Sequence, residues 1–147
     1  MQARNVFTKF FLCGMLLLML TVCAMPRSAE AITIRVQNRY DQKMWVSFVL
    51  YNDAQKIWEV RGWWEVTPKS TRDLDFNSST KSSKVWIHAY TSEASWGGSG
   101  EEARRYTVIS EVFRYQAGKT APQGKGRRQV GFTRYIAGNN GIVVYRP

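Results

Sequence analysis

Cysteine is nearly absent from this chain of 147 residues, and where it occurs is as telling as how little there is. Cys13 and Cys23 both fall within the first thirty-one residues, so nothing after Ala31 can form a disulfide, bind metal through thiolate or use thiol chemistry. Histidine is scarcer still, with His88 alone. One imidazole without thiols cannot supply the usual cluster of zinc ligands. No metal and no cofactor is expected. Acidic residues are few, 11 against 21 basic ones. Beyond Ala24 there is no long apolar run, which leaves no spanning helix in the mature chain.

The start of the chain is different. Arg4 and Lys9 precede an apolar run from Phe10 to Ala24, Pro26 ends it, and Ala29-Glu30-Ala31 offers small residues before a cut at Ile32. A charged start, a short apolar middle and an A-x-A end are the marks of a secretory signal peptide. The run is shorter than the roughly twenty residues of a membrane span, which favours removal over a retained anchor. A lipid-modified start is disfavoured because Val22, not a small residue, precedes Cys23. The expectation is residues 1–31 as signal peptide and 32–147 as one domain, exported to a periplasm or secreted.

The mature part carries 18 basic and 10 acidic residues, and the surplus is not spread evenly. Positions 32–102 balance at nine of each sign. From Ala103 onward, Arg104, Arg105, Arg114, Lys119, Lys125, Arg127, Arg128, Arg134 and Arg146 face Glu111 alone. Such a field draws polyanions and anionic surfaces, although it also suits simple solubility. Export makes nucleic acid the least fitting of these partners. Teichoic acid, lipid head groups and acidic polysaccharide fit better.

Alternation of period two dominates the pattern. Ile32, Ile34 and Val36 alternate with polar neighbours, and Met44, Val46, Phe48 and Leu50 share one face of the next stretch. Strands are predicted at 57–66, with Gly62 as a bulge or close backbone contact, and at 71–76, with Leu74 and Phe76 inward. A further strand is predicted at 84–91, where Trp86, His88 and Tyr90 oppose Val85, Ile87 and Ala89. Residues 106–115 read as one strand or two; 129–136 and 141–145 close the chain around the turn 138–141. Residues 77–83, 92–100 and 116–127 read as loops, the second a flexible one bearing Trp96. Seven to eight short strands at this spacing predict an all-β antiparallel sandwich or small barrel.

Several possible chemistries fall away. Asp73 and Asp75 share a strand face and could pair for acid–base work or calcium, but a solvated outer face explains them. Glu101-Glu102 beside Arg104-Arg105 reads as a surface charge cluster. Gly118-Lys119-Thr120 lacks the earlier glycine of a phosphate-binding loop, and Ser78 to Lys81 lacks the partner motifs of a Ser-x-x-Lys enzyme. His88 beside Ser92 or Ser95 has no nucleophile-elbow motif around it. No catalytic residue is assigned.

The segment Arg61-Gly62-Trp63-Trp64-Glu65-Val66-Thr67-Pro68 resembles the signature of the bacterial family called domain of unknown function 1036. Asn38, Tyr40, Tyr51, Ser70, Thr71 and the Ala89-Tyr90 strand end fit the flanking pattern, over roughly 32–91. The resemblance implies an exported all-β domain with no established activity and hands over no catalytic residue. This chain departs from many members in lacking a cysteine near Asn38 and after Pro68. The candidate binding residues are therefore Trp63, Trp64 and Trp96, as aromatic contacts, and Arg104, Arg105, Lys125, Arg127 and Arg128, as cations. The leading reading is a non-catalytic binding module of the cell envelope for an anionic polymer or glycan. The alternatives are a structural component that binds envelope proteins through sheet edges and, less favoured, an enzyme acting on cell wall or glycan.

Overall fold

The computed structural model describes residues 32–76, 84–98, 103–136 and 140–147, and its regular structure is entirely β. Ten strands follow one another: β1 (Ile32–Asn38), β2 (Met44–Asn52), β3 (Ile57–Val66), β4 (Ser70–Phe76), β5 (Lys84–Tyr90), β6 (Ser95–Trp96), β7 (Arg104–Val108), β8 (Phe113–Gln116), β9 (Arg128–Ile136) and β10 (Asn140–Tyr145). The expected all-β class stands. The strand number is higher than the pattern implied, because 106–115 divides into β7 and β8 and the supposed flexible loop at 92–100 contains β6. The predicted loop at 77–83 lies outside the described residues, as do half of the predicted turn at 138–141, the end of the predicted loop at 92–100 and Glu101-Glu102.

The strands form two sheets. A small one runs β10-β1-β4, and a large one runs β7-β9-β5-β2-β3-β8 with β6 attached to β5. All pairings are antiparallel except β1 with β10, which run parallel from Thr33 opposite Asn140 to Asn38 opposite Tyr145. The last two strands are therefore not a hairpin. β9 ends against β5 in the large sheet, and β10 joins the small one.

Alternation explains the first core. Ile32, Ile34 and Val36 of β1 and Leu74 and Phe76 of β4 meet Met44, Val46, Phe48 and Leu50 of β2 and Val85, Ile87 and Ala89 of β5 between the sheets. The opposite face of the large sheet does not look outward to water. The sheet curls so that Val49, Val60, Trp86, Val108, Ile109, Phe113 and Phe132 pack on one another in a second core. The short link between β7 and β8 draws the ends of the curl together, and the Tyr115 hydroxyl donates to the Thr107 carbonyl at 2.8 Å. This double burial is why Trp86 and His88 are hidden although they oppose a core face.

Gly62 lies at a bulge, as its place within a strand implies. Val46 pairs with Trp64 and Ser47 with Gly62, which leaves Trp63 as the extra residue. A Cβ at Gly62 would lie 2.9 Å from Ser47 Oγ and 3.0 Å from the Phe113 ring, so a larger residue would force these neighbours to shift. Asn38, at the end of β1, is buried and fully engaged. Its amide donates to the carbonyls of Gln42, Val66 and Thr67, and its side-chain oxygen accepts from the Tyr40 amide. Gly62 and Asn38 thus serve a bulge and a turn that hold the strands together.

Candidate functional site

The two adjacent tryptophans divide between the cores. Trp64 packs on Phe48 and Phe76 between the sheets, with ring centroids 5.4 and 5.3 Å away. Trp63 enters the curl against Tyr90 and Phe113 and donates its indole N–H to the Ile109 carbonyl at 2.7 Å. Both are half-buried. Trp96 is half-buried as well: β6 lays it against Tyr40 at 5.0 Å and Tyr145 at 5.3 Å. That packing corrects the picture of a flexible loop with a free aromatic. Pairing Ala89–Trp96 and Tyr90–Ser95 extends β5 and fixes the segment in place.

The cations gather differently. β7 and β9 form an antiparallel ribbon in which Arg104 stands opposite Phe132, Arg105 opposite Gly131 and Val108 opposite Arg128. Arg104 and Arg105 therefore occupy one end, and Arg128 the other, together with Arg127 and Lys125 on the loop that feeds β9. All five are exposed. Arg104 lies over the Trp86 ring with its guanidinium carbon 4.2 Å from the centroid, and Arg128 lies over Tyr90 at 5.5 Å. A guanidinium resting on an aromatic face keeps its N–H edges available to an anion while losing rotamer freedom in advance. None of the five takes part in an ion pair among the described residues.

The loop behind the second group is held from below. The Ser110 amide donates to the Lys125 carbonyl at 2.8 Å, and Gly126 has φ +62, a left-handed conformation in which a Cβ would collide with Ser110 Oγ. Arg128 donates back to the Gly126 carbonyl at 3.2 Å. The apparent looseness of the Gly-Lys-Gly-Arg-Arg stretch hides a fixed turn.

His88 is reached by a shallow groove of about 400 Å³, lined by His88, Ser95, Gly97, Gly98, Val130 and Gly131, where β9 parts from β5 and β6 takes its place. Its Nδ1 lies 2.9 Å from the Gly131 carbonyl oxygen. Burial pushes its pKa down to about 4, the bond to Gly131 opposes this, and the nearby Arg128 charge adds to the depression. The ring is therefore neutral near neutral pH, and Nδ1 carries the proton, since a carbonyl can only accept. Ser95 lines the same groove but makes no hydrogen bond with the ring. Asp73 belongs to the other sheet, paired bidentately with Arg35 at 2.7 and 2.8 Å, and Asp75 accepts from Thr33 at 2.6 Å. No serine–histidine–carboxylate set forms among the described residues, and no three metal-ligating side chains converge there.

Protonating His88 would place a cation within a packed site beside Arg128. Its folded pKa is below the unfolded value, so stability from the neutral ring is intact above about pH 6.5 and declines as pH falls toward about 4. The expected loss is on the order of 3 kcal/mol across that window. Urea titrations at stepped pH should show the decline, and His88→Phe should flatten it; an unchanged slope in the variant would contradict this assignment.

Sequence reasoning missed one charged feature. Glu59 is only 3% exposed, yet lies between Arg61, on its own strand face, and Arg114 of β8. Arg114 donates to Glu59 Oε1 at 3.0 and 2.7 Å, and Arg61 donates to Oε2. The i, i+2 spacing of Glu59 and Arg61 was a usable signal; Arg114, from a distant strand, was not.

Comparison with protein families, with curated proteins and with solved structures finds no match for this chain. Among the described residues no helix is long and apolar enough to cross a membrane.

Proposed function

We propose that this protein is a non-catalytic binding module of the cell envelope, exported by its apolar leader to a periplasm or beyond, and that the β7–β9 ribbon takes an anionic polymer. The observation that carries the reading is the set of five exposed cations, Arg104, Arg105, Lys125, Arg127 and Arg128, on one ribbon and its supporting turn with no ion pair among the described residues. Solubility alone would be served by scattered charge. Stacking on Trp86 and Tyr90 instead orders two of these guanidinium groups before any ligand arrives.

The mature chain should bind heparin or polygalacturonate resin at low ionic strength. With about five cations engaged, affinity should fall by roughly two orders of magnitude between about 50 and 200 mM salt. Arg127→Glu with Arg128→Glu should weaken retention at every salt concentration. Retention that ignores both salt and the double substitution would remove the electrostatic basis of the proposal.

A second reading, a structural component that binds envelope proteins, draws on Ile142 and Val144, which are 50% and 36% exposed on the edge strand β10. Edge strands offer unpaired backbone to a partner. Here the Tyr135 hydroxyl already donates to the Ile142 carbonyl at 2.6 Å, which blunts that edge and favours the polymer reading.

A further inference from the structure

The five cations form two groups rather than a continuous stripe. Arg104 and Arg105 stand opposite Phe132 and Gly131, while Arg128 stands opposite Val108 with Arg127 and Lys125 just before it. Phe132 and Arg128 are four residues apart on one strand, which sets the groups about 13 Å apart. Between them the ribbon offers Tyr106, Thr107, Gln129 and Val130, all uncharged. The inner face of that stretch is core, and the Thr107 carbonyl is already capped by Tyr115. One guanidinium in each group is anchored, Arg104 on Trp86 and Arg128 on Tyr90 beside the Gly126 turn, while Arg105 alternates to the opposite face of the ribbon.

We infer that the ribbon is a two-point clamp for a linear polyanion, which must be long enough to reach both groups at once. The inference rests on the polyanion reading above and adds a length requirement to it. An isolated sulfate, phosphate or uronate can satisfy one group only. A chain that bridges both converts the second contact into an intramolecular one, and its affinity rises by the effective concentration of the tethered end. A ribbon with one stacked guanidinium at each end gains from this, because Arg104 and Arg128 need little ordering on binding. Spacing, not charge density alone, then selects the ligand.

The test is calorimetric or fluorescence titration of the mature chain at low salt with size-fractionated heparin fragments, from disaccharide to decasaccharide, and with oligogalacturonates of matched length. The two series separate sulfate from carboxylate as the preferred anion. The expected result is a step: disaccharides bind weakly, and fragments that span both groups bind at least about a hundredfold more tightly. Arg104→Glu with Arg105→Glu, or Arg127→Glu with Arg128→Glu, should each abolish the step and leave the disaccharide affinity within a few-fold of the other variant. The alanine versions of the same pairs repeat the test should charge reversal disturb folding. A smooth rise with length and no step, or variant losses that simply multiply, would overturn the clamp while leaving the polyanion reading intact. No binding of any fragment at low salt would overturn both.

Discussion

Gly131→Ala should destabilise the protein by about 3 kcal/mol or more. At Gly131, β9 crosses beneath the residues that leave β6, and the two backbones touch. A Cβ on Gly131 would fall inside the Gly98 carbonyl oxygen and lie 2.8 Å from that of Gly97; a Cβ on Gly97 would meet the Gly131 carbonyl oxygen in return. Neither side can retreat. Gly131 is paired with Arg105, and Gly97 directly follows a strand paired to β5. Relief would also break the bond between His88 and the Gly131 carbonyl. Chemical denaturation should show the loss, together with a fall in midpoint temperature of about 10 °C or more. Gly118→Ala is the control. Its φ is +80 but no atom lies near its missing side chain, so only backbone strain of roughly 1 kcal/mol is expected. If Gly131→Ala proved as mild as the control, the close crossing would not be a constraint on the fold.

That crossing shows where sequence patterning was informative and where it fell short. Lone glycines within strands mark bulges or close approaches, and both Gly62 and Gly131 sit at such points. Part of what each approaches lies more than thirty residues away, Phe113 for Gly62 and Gly97 and Gly98 for Gly131, beyond any local window. Alternation along β1, β2, β4 and β5 gave the inter-sheet core almost residue by residue. It could not show that the large sheet curls and buries its second face, because a face bearing Trp58, Trp63, Trp86 and His88 reads equally as exposed or enclosed. The same ambiguity hid the role of Trp96, whose flanking glycines suggested freedom while its ring fills a gap between Tyr40 and Tyr145. The basic bias of the last third was plain from composition. Its division into two groups needed the register of β7 on β9.

The second large effect belongs to Glu59. A carboxylate that is 3% exposed would ordinarily be driven toward its neutral form, and burial does push its pKa upward. Hydrogen bonds from Arg114 and Arg61 outweigh that push and hold the pKa below the usual carboxylate range. Glu59→Leu removes the anion but leaves the Arg61 side chain, only 17% exposed, without its partner. Breaking a buried pair in this one-sided way costs about 3 kcal/mol, whereas replacing both partners by apolar groups can be nearly neutral. The double change Glu59→Leu with Arg61→Met should therefore recover much of the loss, with Arg114, 54% exposed, free to turn to solvent. The pH dependence carries an independent signature. Because the folded pKa is depressed, the carboxylate contributes stability above its ordinary pKa near 4.5 and loses it as pH falls through the lower folded value. His88 loses its share earlier, between about pH 6.5 and 4. Acid unfolding of the parent should therefore steepen in two stages, with His88→Phe removing the upper one and the Glu59–Arg61 double variant the lower. A single stage that survives both substitutions would place the acid sensitivity in other residues.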